Sequence, residues 1–281
     1  MSTLVDSSAP TVRANPSGSL PAADCAVLHY HYFWLVRTVP LTAALCLLLL
    51  LARADMTALT LQIQHVTNYL PDRFWSSVTL LGHGSVLLAF AALAWKKRPD
   101  WIIAGVCGGI VAGLYSRLLK GWIGGPRPAG LIPEEHLHVI GERLLNGSFP
   151  SGHTATAFLL AGVIFLSGRV PPRIAAIALI AALLIGLSRI AVGAHWPVDV
   201  IAGAAGGWLS AALGIALARR LRWLQTTQAR LSLAVIILIS SAALPFASTG
   251  HPLALPLQYL SAGLGFLVAG RWARAEWNSL R

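Results

Sequence analysis

The most regular feature of this sequence is a series of eight apolar runs separated by polar stretches. Each run contains roughly 13 to 22 residues, and ~20 apolar residues are needed for one helical crossing of a bilayer. Segments this apolar are predicted to be helices, because a helix satisfies every backbone amide within its own span. The pattern therefore predicts an all-α fold, a polytopic membrane helix bundle. The predicted spans are residues 39–52, 75–95, 101–119, 154–166, 174–192, 198–218, 231–247 and 253–269.

The composition agrees with lipid as the surrounding solvent. Hydrophobic residues make up 56% of the chain and charged residues 11%, whereas an ordinary soluble domain contains about 25% charged residues. Residues 1–27 are rich in Ser, Pro and Ala and are predicted to form a flexible N-terminal tail. The run at 39–52 lies too far from the start of the chain for a signal peptide, so we interpret it as a retained membrane anchor.

The Lys and Arg residues predict the orientation of the spans. These 21 residues, which contribute to a formal net charge of +11, lie in short clusters between the apolar runs. This arrangement is typical of topology signals and argues against a nucleic-acid partner. Fourteen of them fall on one side of the predicted spans and seven on the other. The positive-inside rule then predicts cytoplasmic termini, with the loops after spans one, three, five and seven on the outer side of the inner (cytoplasmic) membrane.

The first polar cluster lies at the predicted outer end of the third span. Lys120 and Arg127 are separated by a Gly-rich stretch and followed by Pro128. Two such cations can converge on one anion, the Lys as a point charge and the Arg as a bidentate donor. The alternative for this segment alone is a pair of cations whose side chains extend from the membrane boundary into water.

The second cluster, Ser151-Gly152-His153, immediately precedes the fourth span. A Ser followed by Gly at the start of a helix offers a hydroxyl cap and free backbone amides, which together form an anion site. His153 would then lie within reach of a bound anion. Taken alone, a single histidine here is more often a capping or interfacial residue.

The third cluster runs from the end of the fifth span into the sixth. It contains Ser188, Arg189, His195, Pro197 and Asp199. Pro197 suits the first turn of a helix, which places Asp199 in that turn and His195 just before it. A carboxylate there can accept a hydrogen bond from one imidazole nitrogen and leave the other free to attack. The alternatives are a helix-start charge for Asp199 and a boundary cation for Arg189.

The predicted topology brings all three clusters to one membrane face. In order and spacing, residues 120–128, 150–153 and 188–199 resemble the three signature motifs of the type 2 phosphatidic acid phosphatase family. The resemblance covers residues 119–204 and implies a six-helix core. We therefore divide the chain into the tail, a transmembrane phosphatase core over 28–225, and an additional C-terminal helix pair over 226–281.

The resemblance also implies a mechanism. His195 is expected to be the nucleophile that becomes a phosphohistidine, Asp199 to orient its ring, and His153 to act as the general acid. No metal or other cofactor is expected, because three fixed cations supply the electrostatic stabilisation that a magnesium ion would otherwise provide. The three cysteines also lack the spacing of a zinc site or a disulfide framework. The expected ligands of the phosphoryl oxygens are Lys120, Arg127, Ser151, Gly152 and Arg189.

These expectations describe a lipid phosphate or diphosphate phosphatase that acts at the outer membrane face. Undecaprenyl diphosphate is the favoured substrate, followed by lipid A, phosphatidylglycerol phosphate and phosphatidic acid. Phosphoryl transfer to another lipid and, outside enzymes, a transporter are the alternatives. The sequence does not predict an oligomeric state. Residues 129–146 are expected to help select the substrate through Glu134, Glu135, His136, His138, Glu142 and Arg143.

Overall fold

The computed structural model of the protein describes residues 36–50, 55–168 and 170–281. Regular structure in these ranges is helical, and the β pairing within them is one isolated bridge between Pro126 and Asn146. The prediction of an all-α fold is confirmed. The predicted tail over residues 1–27 and the last two residues of the first predicted span, 51–52, lie outside the described residues.

Eleven helices can be followed through the described residues. Short 3-10 turns flank several of them, at Ala92–Ala94, Arg222–Gln225, Leu244–Phe246 and Pro252–Ala254. The helices are α1 Val36–Leu50, α2 Met56–Thr67, α3 Asp72–Leu80, α4 Gly84–Ala91, α5 Pro99–Ile123, α6 Pro128–Leu131, α7 Gly152–Leu166, α8 Pro172–Ala191, α9 Pro197–Arg220, α10 Thr227–Ala243 and α11 Leu255–Ser279.

Five of these helices are long and apolar enough to cross a membrane: α5, α8, α9, α10 and α11, the last two counted with their flanking 3-10 turns. Helices α1 and α7 are apolar but shorter. Helices α3 and α4 together would make a sixth crossing. Each of the eight predicted apolar runs therefore overlaps a described helix or helix pair.

The second predicted span, 75–95, requires a correction, because it is not one continuous helix. Helix α3 and the segment from Gly84 to Ala94 meet at an angle of 67°. Gly82 lies at this bend, where a Cβ atom would be 2.7 Å from Ile185 Cγ2 and 3.0 Å from His153 Cβ. The chain bends at a glycine that packs tightly against α7 and α8, and this contact is not visible in local hydropathy.

Helix α2 was not among the predicted spans, because too few of its residues are apolar for a crossing. Its N-terminus is capped by Asp55, whose carboxylate accepts hydrogen bonds from Thr57 N and Ala58 N. The buried Gln64 side chain donates to the carbonyl oxygens of His138, at 2.7 Å, and Ala191, at 3.2 Å. Helix α2 thus ties the loop between α6 and α7 to the end of α8.

Helices α5, α7 and α9 form the centre of the bundle. Close approach depends on glycines of α9: a Cβ at Gly207 would lie 2.2 Å from Ala155 O, and one at Gly214 would lie 2.3 Å from Ala104 O. Small residues at such contacts are typical of helix packing in membranes, since they let the backbones touch. This packing holds the ends of the three helices, where the polar clusters lie, in fixed relative positions.

The C-terminal helix pair packs on the bent pair α3–α4. Gly265 of α11 leaves room for Ala89 of α4, because a Cβ there would lie 2.7 Å from Ala89 Cβ. The rings of Trp95 and Trp272 stack with their centroids 6.0 Å apart. Leu80, at the end of α3, is buried in the same apolar cluster as Leu244 from the turn that follows α10. The α10–α11 connection consequently lies beside the bend.

Candidate active site

The three polar clusters meet at one end of the bundle. Lys120, in the last turn of α5, donates from Nζ to the carbonyl oxygens of Gly147, at 2.7 Å, and Ser148, at 3.3 Å. The backbone N–H of Ser151, just before α7, donates to the carbonyl oxygen of Asp199 at 3.0 Å. These contacts join the first cluster to the residues just before the second, and the second cluster to the third.

His195 and Asp199 form a buried pair at the start of α9, each only 2% exposed. The Asp199 carboxylate oxygen Oδ2 lies 3.3 Å from His195 Nδ1. The same oxygen accepts from the Ser148 hydroxyl at 2.5 Å and from the Trp196 backbone N–H at 2.9 Å. A carboxylate can only accept, so this geometry favours a proton on Nδ1 and a lone pair on Nε2.

Arg127 fixes the opposite side of the His195 ring. Its Nη1 lies 3.4 Å from His195 Nε2 and donates to the carbonyl oxygen of Ala194 at 3.0 Å. Its Nε and Nη2 donate to the carbonyl oxygens of Asn146, at 2.9 Å, and Gly147, at 3.2 Å. The guanidinium is therefore held next to the nitrogen that is free to react, in a position to contact a group bound there.

The charges around His195 favour its neutral form. Burial, followed by the charges of Arg189, Arg127 and Lys120, holds the pKa of His195 well below its ordinary value, although the Ser148 backbone opposes this shift. A neutral imidazole keeps its lone pair at neutral pH. The same three cations are the predicted ligands of a phosphoryl group, so the structure gathers a neutral imidazole and three positive charges in one place.

Ser151 caps α7, as predicted from the sequence. Its hydroxyl oxygen accepts from the Thr154 backbone N–H at 3.5 Å and from the Thr154 hydroxyl at 2.9 Å. His153 follows in the first helical turn, where its ring centroid lies 6.1 Å from that of His83. It is close enough to Arg189 for the charge of that guanidinium to act on it. The second cluster therefore presents His153 to the site formed by the other two.

Arg189 lies in the last turn of α8 and is only 4% exposed. Its Nη1 donates to the hydroxyl of Thr79 and lies 3.4 Å from His251 Nε2. Its Nε has no hydrogen-bond partner among the described residues. Part of the guanidinium is thus held by protein groups, while another of its donors is left for a ligand.

Sequence reasoning missed three side chains that touch the predicted residues: Ser148, Thr79 and His251. Ser148 lies only two residues before the Pro150 that opens the second motif. This closeness in sequence is the one signal that could have identified it as a site residue. Thr79 and His251 lie 110 and 62 residues from Arg189 in sequence. No local sequence pattern connects these two residues to Arg189. They come together with it only through the folded positions of α3 and of the α10–α11 connection.

The loop expected to select the substrate is held by its own polar contacts. Arg143 pairs with Glu134 at 3.2 Å and donates to the carbonyl oxygen of Ala129 at 3.0 Å. His138 Nε2 lies 2.9 Å from a carboxylate oxygen of Asp72 at the start of α3.

Within the described ranges, no group of three or more His, Cys, Asp or Glu side chains is arranged to hold a metal ion.

Residues 101–223, which contain all three clusters, match the sequence profile of the PAP2 superfamily. The five helices that are long and apolar enough to cross a membrane make the chain a multi-pass membrane protein. The resemblance to type 2 phosphatidic acid phosphatases that the motifs indicated is thereby confirmed.

Curated relatives match the same region. A lipid A 1-phosphatase of Rhizobium etli is 37% identical over 121 residues, which are 39% of this chain and 47% of that protein. The bacitracin transport permease protein BcrC of Bacillus licheniformis is 31% identical over 115 residues, which are 41% of this chain and 54% of that protein. The chain therefore spans about half the length of the curated relatives it matches.

Two solved structures are also similar. The crystal structure of LpxE from Aquifex aeolicus has 30% sequence identity and a TM-score of 0.49, covering 56% of this chain and 94% of that one. The first transmembrane PAP2 type phosphatidylglycerolphosphate phosphatase from Bacillus subtilis has 23% identity and a TM-score of 0.49, covering 65% of this chain and 96% of that one.

Proposed function

We propose that this protein is an integral-membrane phosphatase that removes phosphate from a lipid phosphate or diphosphate through a phosphohistidine. The observation that carries the proposal is the convergence of Lys120, Arg127 and Arg189 on the buried His195–Asp199 pair. Fixed cations stabilise the charge on a transferring phosphoryl group. Arg127 lies beside the nitrogen with the free lone pair, and Arg189 and Lys120 are close enough for their charges to act on the same imidazole.

The proposed reaction has two steps. His195 Nε2 attacks phosphorus, forming a P–N bond while the bond from phosphorus to the leaving oxygen breaks and His153 supplies that oxygen with a proton. Water then attacks the phosphohistidine, losing a proton to His153, and the P–N bond breaks to release inorganic phosphate. A lipid monophosphate leaves an alcohol in the first step, and a lipid diphosphate leaves the monophosphate. No step requires a metal ion.

An elongated apolar cavity beside the site supports a lipid substrate. It has a volume of about 820 Å³ and lies, partly open to the outside, between α4, α5, α7 and α10, and its polar end includes His153, Ser116 and Arg117. Along α5 it extends to Trp101, about 24 Å at 1.5 Å per residue. That length is close to the ~30 Å of a bilayer core, so the cavity can hold hydrocarbon chains while the phosphate reaches His153.

The relatives named for lipid A bear on the choice of substrate. Undecaprenyl diphosphate was favoured from the sequence, whereas two curated relatives at 37% identity are lipid A 1-phosphatases. We therefore propose lipid A as a second candidate beside undecaprenyl diphosphate. Phosphatidylglycerol phosphate and phosphatidic acid follow, and phosphoryl transfer to a second lipid remains the alternative to hydrolysis.

The direct test of the function is phosphate release from a panel of these lipids by the purified protein in detergent, with and without EDTA. Two glycines of α5 that line the cavity allow a second test, of whether the cavity holds the lipid chains. Added Cβ atoms at Gly105 and Gly113 would meet nothing within 4 Å. Leucine is a better helix former than glycine, so it should fit the helix at either position. Its larger side chain should narrow the cavity.

We expect Gly113→Leu to lower kcat/KM for the preferred lipid by about 10- to 100-fold, the cost of displacing a few buried methylenes. Hydrolysis of a water-soluble aryl phosphate should be unchanged, because its phosphate site is intact. Gly263→Leu on the exposed side of α11, where an added Cβ also meets nothing within 4 Å, is the matched control. Equal losses on lipid and aryl phosphate would refute the assignment of the cavity to lipid chains.

We further propose that the site faces the outer side of the inner membrane, on the basis of the charge asymmetry of the loops. Cysteine at Glu135, an exposed position in the loop between α6 and α7, should react with an impermeant thiol reagent applied to intact cells with a permeable outer envelope, in a background without native cysteines. Cysteine at Lys97, exposed at the opposite end of α5, should react only after lysis. The reverse pattern of labelling would invert the orientation.

A further inference from the structure

The connection between α10 and α11 brings a histidine from the C-terminal helix pair into the active site. His251 is 7% exposed, and its Nε2 lies 3.4 Å from Nη1 of Arg189. Arg189 belongs to the third motif, whereas His251 lies outside the residues that match the family profile. The helix pair predicted as an addition to the core therefore contacts one of the three cations of the phosphate site.

The contact holds a defined part of the guanidinium. Nη1 of Arg189 has two partners, the Thr79 hydroxyl and His251 Nε2. Arg189 Nε is buried without a partner in the described part of the chain. Because the guanidinium is rigid and planar, fixing one terminal nitrogen from two directions restricts the directions of all the other N–H groups.

Several contacts hold His251 in place. The carbonyl oxygen of Gly250 accepts from Glu142 N at 2.8 Å, which joins the α10–α11 connection to the outer loop. Gly141, at φ +94°, passes so close that a Cβ there would lie 2.2 Å from Gly250 O and 2.7 Å from His251 Nδ1. From α11, the buried Gln258 amide donates to the carbonyl oxygens of Leu244 and Ala247.

The charge state of His251 suits an acceptor. Burial, followed by the charge of Arg189, lowers the pKa of His251 to about 4, against a weaker opposing contribution from the Ile140 backbone. The ring is therefore neutral at pH 7 and can place its lone pair toward Arg189, an always-charged donor. Because Arg189 Nη1 can only donate, their contact makes Nε2 the accepting nitrogen and places the ring proton on Nδ1, which is buried without a hydrogen-bond partner among the described residues.

We propose that His251 is a positioning residue of the phosphate site: by accepting a hydrogen bond from Arg189 Nη1, together with Thr79, it aims the remaining N–H groups of Arg189 at the bound phosphoryl group. This inference rests on the proposed function. It makes the C-terminal pair a working part of the site, since removing the α10–α11 connection would leave Arg189 with Thr79 as its side-chain partner among the described residues.

The test compares two amides at position 251. In His251→Gln the amide oxygen can occupy the place of Nε2 and accept from Arg189, whereas the shorter side chain of His251→Asn places its amide near Nδ1 and does not reach. We expect the Asn variant to lose about 10- to 100-fold in kcat/KM for an aryl phosphate, the value of a hydrogen bond to a charged group. The Gln variant should stay close to wild type.

Two further readouts separate positioning from folding. Orthovanadate affinity, measured by the ligand-induced rise in Tm, should weaken in His251→Asn and not in His251→Gln, while the Tm values without ligand stay alike. His65→Asn, at an exposed position on α2, is the control. If Asn and Gln variants bind vanadate equally, the inference is wrong. A wild-type protein that binds vanadate but releases no phosphate from any lipid or aryl phosphate would instead contradict the proposed function.

Discussion

Replacement of His195 by alanine should abolish phosphate release and any trapped phosphoenzyme. The side chain is 2% exposed, and its Nε2 lies 3.4 Å from Arg127 Nη1, beside one of the cations proposed to bind the phosphoryl group. Removal of a covalent nucleophile costs on the order of 10⁶-fold in kcat where it has been measured. Rapid quench with radiolabelled substrate should give acid-labile, base-stable label on the wild-type protein and none on His195→Ala.

Replacement of Asp199, whose carboxylate lies beside His195, should have a smaller effect on turnover. Asp199→Asn keeps the shape of the side chain but replaces the anion that accepts from Ser148 Oγ and the Trp196 N–H and faces His195 Nδ1. The imidazole is then less firmly oriented and its developing positive charge less stabilised. Turnover should fall between wild type and His195→Ala, with label still detectable. Label that persists in His195→Ala would show that another residue is the nucleophile.

The predictable part of the site is the part encoded in local spacing. Ser151 and Pro197 mark helix starts, and those helix starts fix the positions of His153 and Asp199. The charged ends of consecutive apolar runs must alternate between membrane faces, which is enough to bring Lys120 to the same face as the other clusters. The three motifs could therefore be predicted from the sequence alone.

The bend at Gly82 was not predictable in this way. Hydropathy over residues 75–95 is that of a span, and glycines inside an apolar run, here Gly82 and Gly84, are compatible with a continuous helix. What distinguishes Gly82 is the closeness of Ile185 and His153 to the position that a Cβ atom would occupy. These neighbours come from α8 and α7, so the reason for the bend exists only after the bundle has formed.

The same limit applies to the surroundings of Arg189. Thr79 and His251 had no motif, and a lone histidine between two apolar runs is ordinarily read as interfacial. Their function depends on the packing of the α10–α11 pair against α3 and α4, where Leu80 and Leu244 share one apolar cluster. Motifs report the residues that touch the substrate, whereas residues that hold those side chains are spread along the chain.

His153→Ala should impair both steps while leaving the nucleophile in place. His153 lies in the first turn of α7 at the polar end of the apolar cavity, within the influence of Arg189. In the proposed reaction it protonates the leaving oxygen and then accepts a proton from water. General acid–base assistance is typically worth 10²- to 10⁴-fold, so hydrolysis of a lipid phosphate, with its poor alcohol leaving group, should fall by about that factor.

An aryl phosphate separates these two roles, because its phenolate needs little protonation to leave. With it, the first step in His153→Ala should recover part of the lost rate, while the second step still lacks its base, so phosphoenzyme should accumulate. A burst of phenol release followed by slow turnover, with acid-labile label on the protein, is the expected result. If the loss is the same for lipid and aryl phosphates and no label accumulates, His153 does not serve as the general acid. If label vanishes here and persists in His195→Ala, the roles of the two histidines are reversed.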